Sequence, residues 1–383
     1  MSLFSPKPSL GLVYHIGTSS VGAAVVQFRP RSAPLVQASL REHMPYRQTV
    51  DAERFVGDMV DTLKSLNARL ARAGVTGDAD VRHVFYVFSS PWAMSETKIV
   101  SLKEDKPFSL SRSQVDRIVS AHEKLFEAEM AGTAAPNSLR AIERRVIDIR
   151  LNGYHVAQPY GKKTRAADIS FFTSLVPRSI FDQVADLSRQ TYRPRDTHAH
   201  SFSLASFSVI RDVFHEESDF IFLDVGGELS DITIVQNGLI LETASFPLGR
   251  HFLIRKVMQA FAVSQAEAVS MAMLYFEGTM EAVAAERMTP VMEQAADEWL
   301  AGFHQVLENA AGRVSLPTKL FVVVNPGFSR YFMQVLRREE LFATLVDCEN
   351  LKSAVEFVAG ADKDPFAAVC AAFAGRVYES GER

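Results

Sequence analysis

Apolar residues fall along this chain in two recurring patterns: short unbroken runs that close on glycine, and longer stripes at helical spacing. Residues 221–231 read IFLDVGGELSD, an apolar run that ends in Asp224 and is followed by Gly226, Gly227, Ser230 and Asp231. The run predicts a buried strand feeding a tight turn, in which both glycines take positive φ and backbone amides close on a phosphate. The next residues, ITIVQNGLILETASFPLG, predict two further strands with a hairpin signal at Asn237-Gly238. Near the N-terminus GLVYHIGTSSVGAAVVQF repeats the plan as strand, Gly17-Thr18-Ser19 turn and strand. One such turn is weak evidence. Two of them, about 200 residues apart, predict a duplicated fold with phosphate held between the halves.

The helical stripes fill in the rest. Phe55, Met59, Leu63, Leu66 and Leu70 share one face of a helix predicted over 51–72, a core stripe. Arg82 to Ser89 reads as a buried strand broken at Pro91-Trp92. Ser111 and Gln114 form an S-x-x-Q capping box ahead of Val115, Ile118, Val119, Leu125 and Phe126, which predicts a helix to about Gly132. GTAAPNS reads as a loop, and two β-rich runs, AIERRVIDIRLNG and AADISFFTSLV, flank the turn-rich YHVAQPYGKKTR. Strand, helix, strand, strand is compact enough for a small inserted subdomain. Further helices are predicted over 178–190, in HFLIRKVMQAF, in SQAEAVSMAMLYFEG and over 281–312. KLFVVVNPGFS reads as strand and turn, and DPFAAVCAAFAGRVY as a final helix opened by Pro365.

A length of 383 residues calls for two or more domains. Apolar residues at 47% and charged residues at 22% are ordinary for a globular protein and exclude general disorder. Lys and Arg number 41 against 45 Asp and Glu, a net charge of −4, so no basic field for nucleic acid is expected. Cys348 and Cys370 show neither pairing nor metal spacing, which favours a reducing cytoplasm. No stretch approaches the roughly 18–20 apolar residues of a membrane span, and MSLFSPKPSLGL lacks a signal-peptide core. A soluble protein is expected, with Leu3 and Phe4 in a frayed tail. His198 and His200 sit two apart but lack a third ligand nearby, and read as solvated loop histidines. Lys162, Lys163 and Arg165 read as a solvated basic turn, and no Ser, His and Asp set has spacing that argues for nucleophilic catalysis.

Taken together these motifs resemble the actin-like ATPase superfamily, in the branch of the division protein FtsA and the type IV pilus protein PilM. HIGTSSVGA at 15–23 resembles the first phosphate motif, DVGGELSD at 224–231 the second, and VVVNPGFS at 322–329 the adenosine motif. FPLGRHFLIRKV at 246–257 resembles the passage after the second motif, AEAV at 266–269 the helix carrying nucleotide contacts, and DPFAAVCAAFAG the last helix. The resemblance covers almost the whole chain, and the insertion resembles the SHS2-type subdomain of this branch.

That resemblance implies a two-lobed actin-like α/β fold, of the duplicated ribonuclease H-like kind. Its parts would be a first-lobe core at 9–82, an SHS2-type insertion at 83–185 and a return at 186–217. A second lobe would follow at 218–364, with a helical subdomain at about 262–316, and a C-terminal helix at 365–383 packing back on the first lobe. It implies ATP and Mg²⁺ as ligands, with Gly17, Thr18, Ser19, Asp224, Gly226, Gly227, Glu267 and Gly327 as nucleotide-binding positions and Asp224 acting on magnesium through water. Several residues depart from the family pattern. His15 stands where an aspartate organises the metal waters, and Mg²⁺ prefers oxygen ligands. Pro326 brings a ring into the adenine space. AVSMAM lacks a basic residue expected after Ala266-Glu267, and Arg250 replaces the second glycine of a pair, where an Arg at a helix start is more often a surface residue. The expected function is therefore a cytoplasmic scaffold with weak or regulatory nucleotide binding. It would link a membrane-embedded division or pilus machine to a cytoskeletal polymer or other cytoplasmic partner. It would self-associate through the insertion and reach the inner face of the membrane through a partner's cytoplasmic tail, without inserting itself. A sugar or acetate kinase-like phosphotransferase is the alternative.

Overall fold

The computed structural model describes residues 9–47, 51–74, 81–132, 138–312 and 314–381, so Leu3, Phe4 and most of the GTAAPNS loop lie outside the described residues. Three sheets form among these residues. The first contains β1 (Ser9–Ile16), β2 (Ser20–Phe28), β3 (Leu35–His43), β4 (Val81–Phe88), β9 (Asp196–Ser201) and β15 (Glu356–Phe357), in the order β15-β3-β2-β1-β4-β9. The second contains β10 (Phe220–Val225), β11 (Ser230–Gln236), β12 (Leu239–Phe246), β13 (Lys319–Val324) and β14 (Thr344–Asp347), in the order β12-β11-β10-β13-β14. β1 pairs antiparallel with β2 and parallel with β4, and β10 pairs antiparallel with β11 and parallel with β13. The same wiring in both sheets is the duplication that the two glycine turns predicted.

The predicted helices form with their caps. Asp51 accepts from the Arg54 amide at the start of α1 (Ala52–Arg72), and Met59, Leu63, Leu66 and Leu70 are buried. α2 (Arg112–Ala131) opens on the Ser111–Gln114 capping box. It is followed by α3 (Arg178–Tyr192), α4 (Phe202–Val213), α5 (Arg250–Phe261), α6 (Gln265–Glu277), α7 (Ala282–Ala311), α8 (Pro326–Leu336) and α9 (Pro365–Ser380). Alternating buried layers order these elements. α1 and α3 cover one face of the first sheet, α4 and α9 fill a core shared by both sheets, and α5 to α8 cover the far face of the second. Asn237 and Gly238 both take positive φ between β11 and β12, as a two-residue hairpin of this type requires.

The remaining strands, β5 (Met94–Ser109), β6 (Leu139–Leu151), β7 (Tyr154–His155) and β8 (Lys163–Pro177), make a sheet of order β5-β8-β6-β7 with α2 packed on it. Residues 83–88, grouped above with the insertion, instead belong to β4 inside the first sheet, between β1 and β9. α3 likewise buries Ile180, Phe181 and Val184 in the core it shares with α1. Their apolar faces match those neighbours, which come from distant parts of the sequence. Among the described residues no single helix is long and apolar enough to cross a membrane; α5 and α6 pass that test only jointly, across a 104° bend.

Candidate functional site

The turns that follow β1 and β10 meet across the interlobe cleft. His15 is the penultimate residue of β1 and Asp224 the penultimate residue of β10, so the two side chains occupy equivalent positions. Each strand runs into a turn closed by one backbone bond, Gly17 N–H to Ser20 O at 3.1 Å and Gly226 N–H to Leu229 O at 2.9 Å. Gly226 and Gly227 do not take positive φ. Their requirement is space: a Cβ on Gly227 would overlap the Ser19 side chain, and one on Gly226 would lie 2.9 Å from Leu229 O. The first amides of α5 are committed to this turn, since Arg250 N–H donates to Gly226 O at 3.0 Å and His251 N–H to Gly227 O at 2.9 Å.

The turns touch each other. Thr18 Oγ1 accepts from the Gly227 amide at 2.9 Å and from the Glu228 amide at 3.1 Å. Arg250, expected at the surface, is only 7% exposed and donates through Nη2 to Ser19 Oγ. Gly249 lets α5 start against the Gly227 carbonyl, and that approach carries Arg250 into the cleft. Burial, with Arg41 nearby, lowers its pKa to about 10, so it stays charged at neutral pH.

A second chain of polar contacts runs behind. Arg41 on β3 pairs with Asp364, the N-cap of α9, at 2.6 Å, and donates to Ser20 Oγ at 2.9 Å and His15 Nδ1 at 3.3 Å. A guanidinium has only donors, so Nδ1 is the acceptor and His15 carries its proton on Nε2. From there it donates to Ser89 Oγ at 3.1 Å, and Ser89 donates to Asp224 Oδ2 at 3.3 Å. Burial first, then Arg41, holds His15 well below the usual histidine range. Burial first, then the neighbouring Asp231, pushes the Asp224 carboxyl well up. His15, Ser89 and Asp224 do not make a nucleophilic set, because a guanidinium faces the imidazole where an orienting carboxylate would be needed.

Of the positions implied by resemblance, Gly17, Thr18, Ser19, Asp224, Gly226 and Gly227 all line this cleft, while Glu267 and Gly327 do not. Glu267 closes the capping box of α6 with Ser264. Gly327 sits in the first turn of α8, where a Cβ would meet Met273 Sδ at 3.0 Å. Sequence reasoning missed Arg41, Ser89 and Asp364; the only local signal was Asp before Pro365, an N-cap pattern. His198 and His200 are strand residues of β9, not solvated loop residues. The His198 ring stacks on Phe85 at 4.5 Å, and burial lowers its pKa to about 4. His200 is buried with Nδ1 3.3 Å from Glu143.

A nucleotide triphosphate does not fit between the two turns in this arrangement, although Asp224 Oδ1 is a buried oxygen without a partner among the described residues. The space left between the turns is about 20 Å³, room for about one water and too little for a triphosphate. The phosphate-facing amides of Gly227 and Glu228 already have an acceptor, and a guanidinium stands in the remaining volume.

Two sheets of matching order, each sending a glycine turn into a shared cleft, define the actin-like ATPase fold, and the chain has it. Within that fold it is similar to PilM as solved in a PilM–PilN type IV pilus biogenesis complex, with a TM-score of 0.65 at 13% identity over 97% of this chain and 99% of that one. Weaker likenesses include the ethanolamine utilization protein EutJ from Carboxydothermus hydrogenoformans, at TM-score 0.45 and 11% identity over 97% of this chain and 91% of that one. A Bacteroides thetaiotaomicron protein of actin-like ATPase fold and unknown function gives 0.40 and 8% over 90% and 94%. No protein-family model matches the sequence, and no curated protein matches it.

Proposed function

We propose that this protein is a non-catalytic actin-fold adaptor, cytoplasmic and peripheral to the inner face of the membrane. It attaches a membrane-embedded machine of the pilus or secretion kind to cytoplasmic partners by holding the cytoplasmic tail of a membrane protein. The observation that carries this reading is the likeness to PilM across nearly the full length of both chains, in a complex with PilN. Fold alone does not determine function, and the closed cleft supplies the second support. It leaves no room for the substrate of a phosphotransferase, which disfavours the kinase-like alternative.

The four-stranded sheet, which we read as the SHS2-type insertion, is the assembly element in this proposal. β5 lies at its edge, paired with β8 on one side; its start meets β12, where Thr243 Oγ1 donates to Ser95 O at 2.8 Å, and beyond that contact Ile99 is 53% exposed. An exposed edge strand is a template for another chain. Binding assays with synthetic cytoplasmic tails of membrane proteins from pilus, secretion and division machines test the adaptor role. We expect saturable binding to a pilus or secretion tail, no co-sedimentation with anionic vesicles, and no phosphate release from ATP. Turnover on the order of 1 s⁻¹ or more, or binding confined to division-machine tails, would overturn it. In sedimentation, Ile99→Asp is expected to reduce self-association.

A further inference from the structure

We propose that the interlobe cleft carries its own ligand: the Thr18 hydroxyl occupies the place where the Gly227 and Glu228 amides would hold a phosphate oxygen, and Arg250 fills the adjoining volume, so the lobes are latched without nucleotide. Amides converging from a glycine turn bind anions because their donors are otherwise unpaired. Here both donors end on one oxygen of the opposite turn, at 2.9 and 3.1 Å. A hydroxyl oxygen has two lone pairs, so Thr18 satisfies both amides and is left with only its proton to give.

Arg250 closes the arrangement from the other lobe. It is buried and hydrogen-bonded to Ser19, so each turn is held by a side chain from across the cleft. The contact between turns is tight enough that Gly227 admits no Cβ against Ser19. A nucleotide would have to separate the turns, break the two Thr18 bonds, and leave a buried guanidinium without its acceptor. A ligand shifts a conformational equilibrium only by its preference for one state, and the latched state offers MgATP neither free amides at Gly227 and Glu228 nor room for its phosphates. The closed state is therefore constitutive, and partner binding is not gated by nucleotide. This goes beyond the adaptor reading and does not rest on it.

Hydrogen exchange at the Gly227 and Glu228 amides, with and without millimolar MgATP, is the test. In the wild-type protein MgATP is expected to leave both the exchange and the Tm unchanged; slower exchange or a raised Tm would overturn the proposal. Thr18→Ala should speed exchange of these two amides by roughly tenfold, the scale expected when a buried donor loses its partner, and Thr18→Ser should keep the wild-type rate. Unchanged exchange in a folded Thr18→Ala variant would remove Thr18 as the built-in ligand. Arg250→Gly, which restores the paired glycines, should gain saturable MgATP binding; a folded variant that gains none would show that Arg250 does not block the site. None of these readouts involves a membrane partner, so the latch and the adaptor role fail separately.

Discussion

The turn after β1 is braced largely from its own side of the molecule, where Arg41 of β3 ties His15 and Ser20 to Asp364 at the start of α9. The turn after β10 has its Gly227 and Glu228 amides held from across the cleft by Thr18, while its carbonyls and the Glu228 side chain answer to the neighbouring helix α5. Duplication gave both halves the same strand-and-turn backbone, and the residues at equivalent positions have diverged, an imidazole in one and a carboxylate in the other. Backbone geometry thus survives where the chemistry it could serve has changed. The comparison also separates two kinds of stability, packing within one layer and closure between lobes.

The largest effect should come from breaking the brace of the first turn. Asp364, itself buried, is both the acceptor of the mostly buried Arg41 guanidinium and the N-cap of α9, whose amides at Phe366 and Ala367 it receives. Removing one member of a buried ion pair costs about 3–5 kcal/mol, because the other charge is left without a partner. Asp364→Ala is expected to lose that amount in urea unfolding, and a loss below about 1 kcal/mol would mean the pair is effectively solvated. Asp364→Asn, which keeps the cap, should recover part of it.

How much of this was legible in the sequence follows the same division. Strand runs such as IFLDV, the two glycine turns, the capping box at Ser111 and the duplicated layout are local patterns, and the structure contains them all. At Gly226 and Gly227 the local signal was right and its reason was not: what needs glycine at Gly226 is the close Leu229 carbonyl, and at Gly227 it is Ser19, more than 200 residues away in sequence, an approach that no local pattern encodes. Arg250 read as a surface cation because its acceptor belongs to the other lobe. His198 and His200 read as loop residues because Phe85, Glu143 and Phe373, which enclose them, come from three other elements. Residues whose environment is assembled from afar are the ones a linear reading misplaces, and a cleft between lobes consists of little else.

The next effect is smaller and tests closure between the lobes. Gly227→Ala would drive a methyl group into Ser19, and overpacking of this kind costs about 1–3 kcal/mol. If the clash is the cause, Ser19→Gly in the same chain should return much of the loss, with a coupling of about 0.5–3 kcal/mol in a double-mutant cycle. Additive losses would place the requirement for glycine elsewhere in the turn. The first turn offers a control: at Gly17 the nearest atom to an added Cβ is Cε1 of His15, at 3.3 Å, a tight contact but not an overlap, so Gly17→Ala should cost less.

The smallest effect distinguishes the two equivalent side chains by the sign of their pH dependence. His15 is held neutral by burial and Arg41, so as pH falls through about 6.5 the unfolded chain takes a proton there and the folded one does not. Stability then falls on acidification, since it follows the excess of protons bound by the unfolded state. His198 acts the same way, in the window from about 6.5 down to its folded pKa of about 4. Asp224 acts in the opposite direction. Burial and Asp231 raise its carboxyl, so the folded protein binds a proton that the unfolded chain has not yet taken up, and its contribution is present at low pH and lost as pH rises through the folded pKa. Unfolding free energies measured between pH 7 and 5 should therefore decline less steeply in His15→Gln and more steeply in Asp224→Asn. Each change in slope is bounded by one proton, about 1.4 kcal/mol per pH unit. Equal slopes in wild type and His15→Gln would mean that His15 is charged in the folded state, and the direction of the His15–Ser89–Asp224 hydrogen bonds would have to be reassigned.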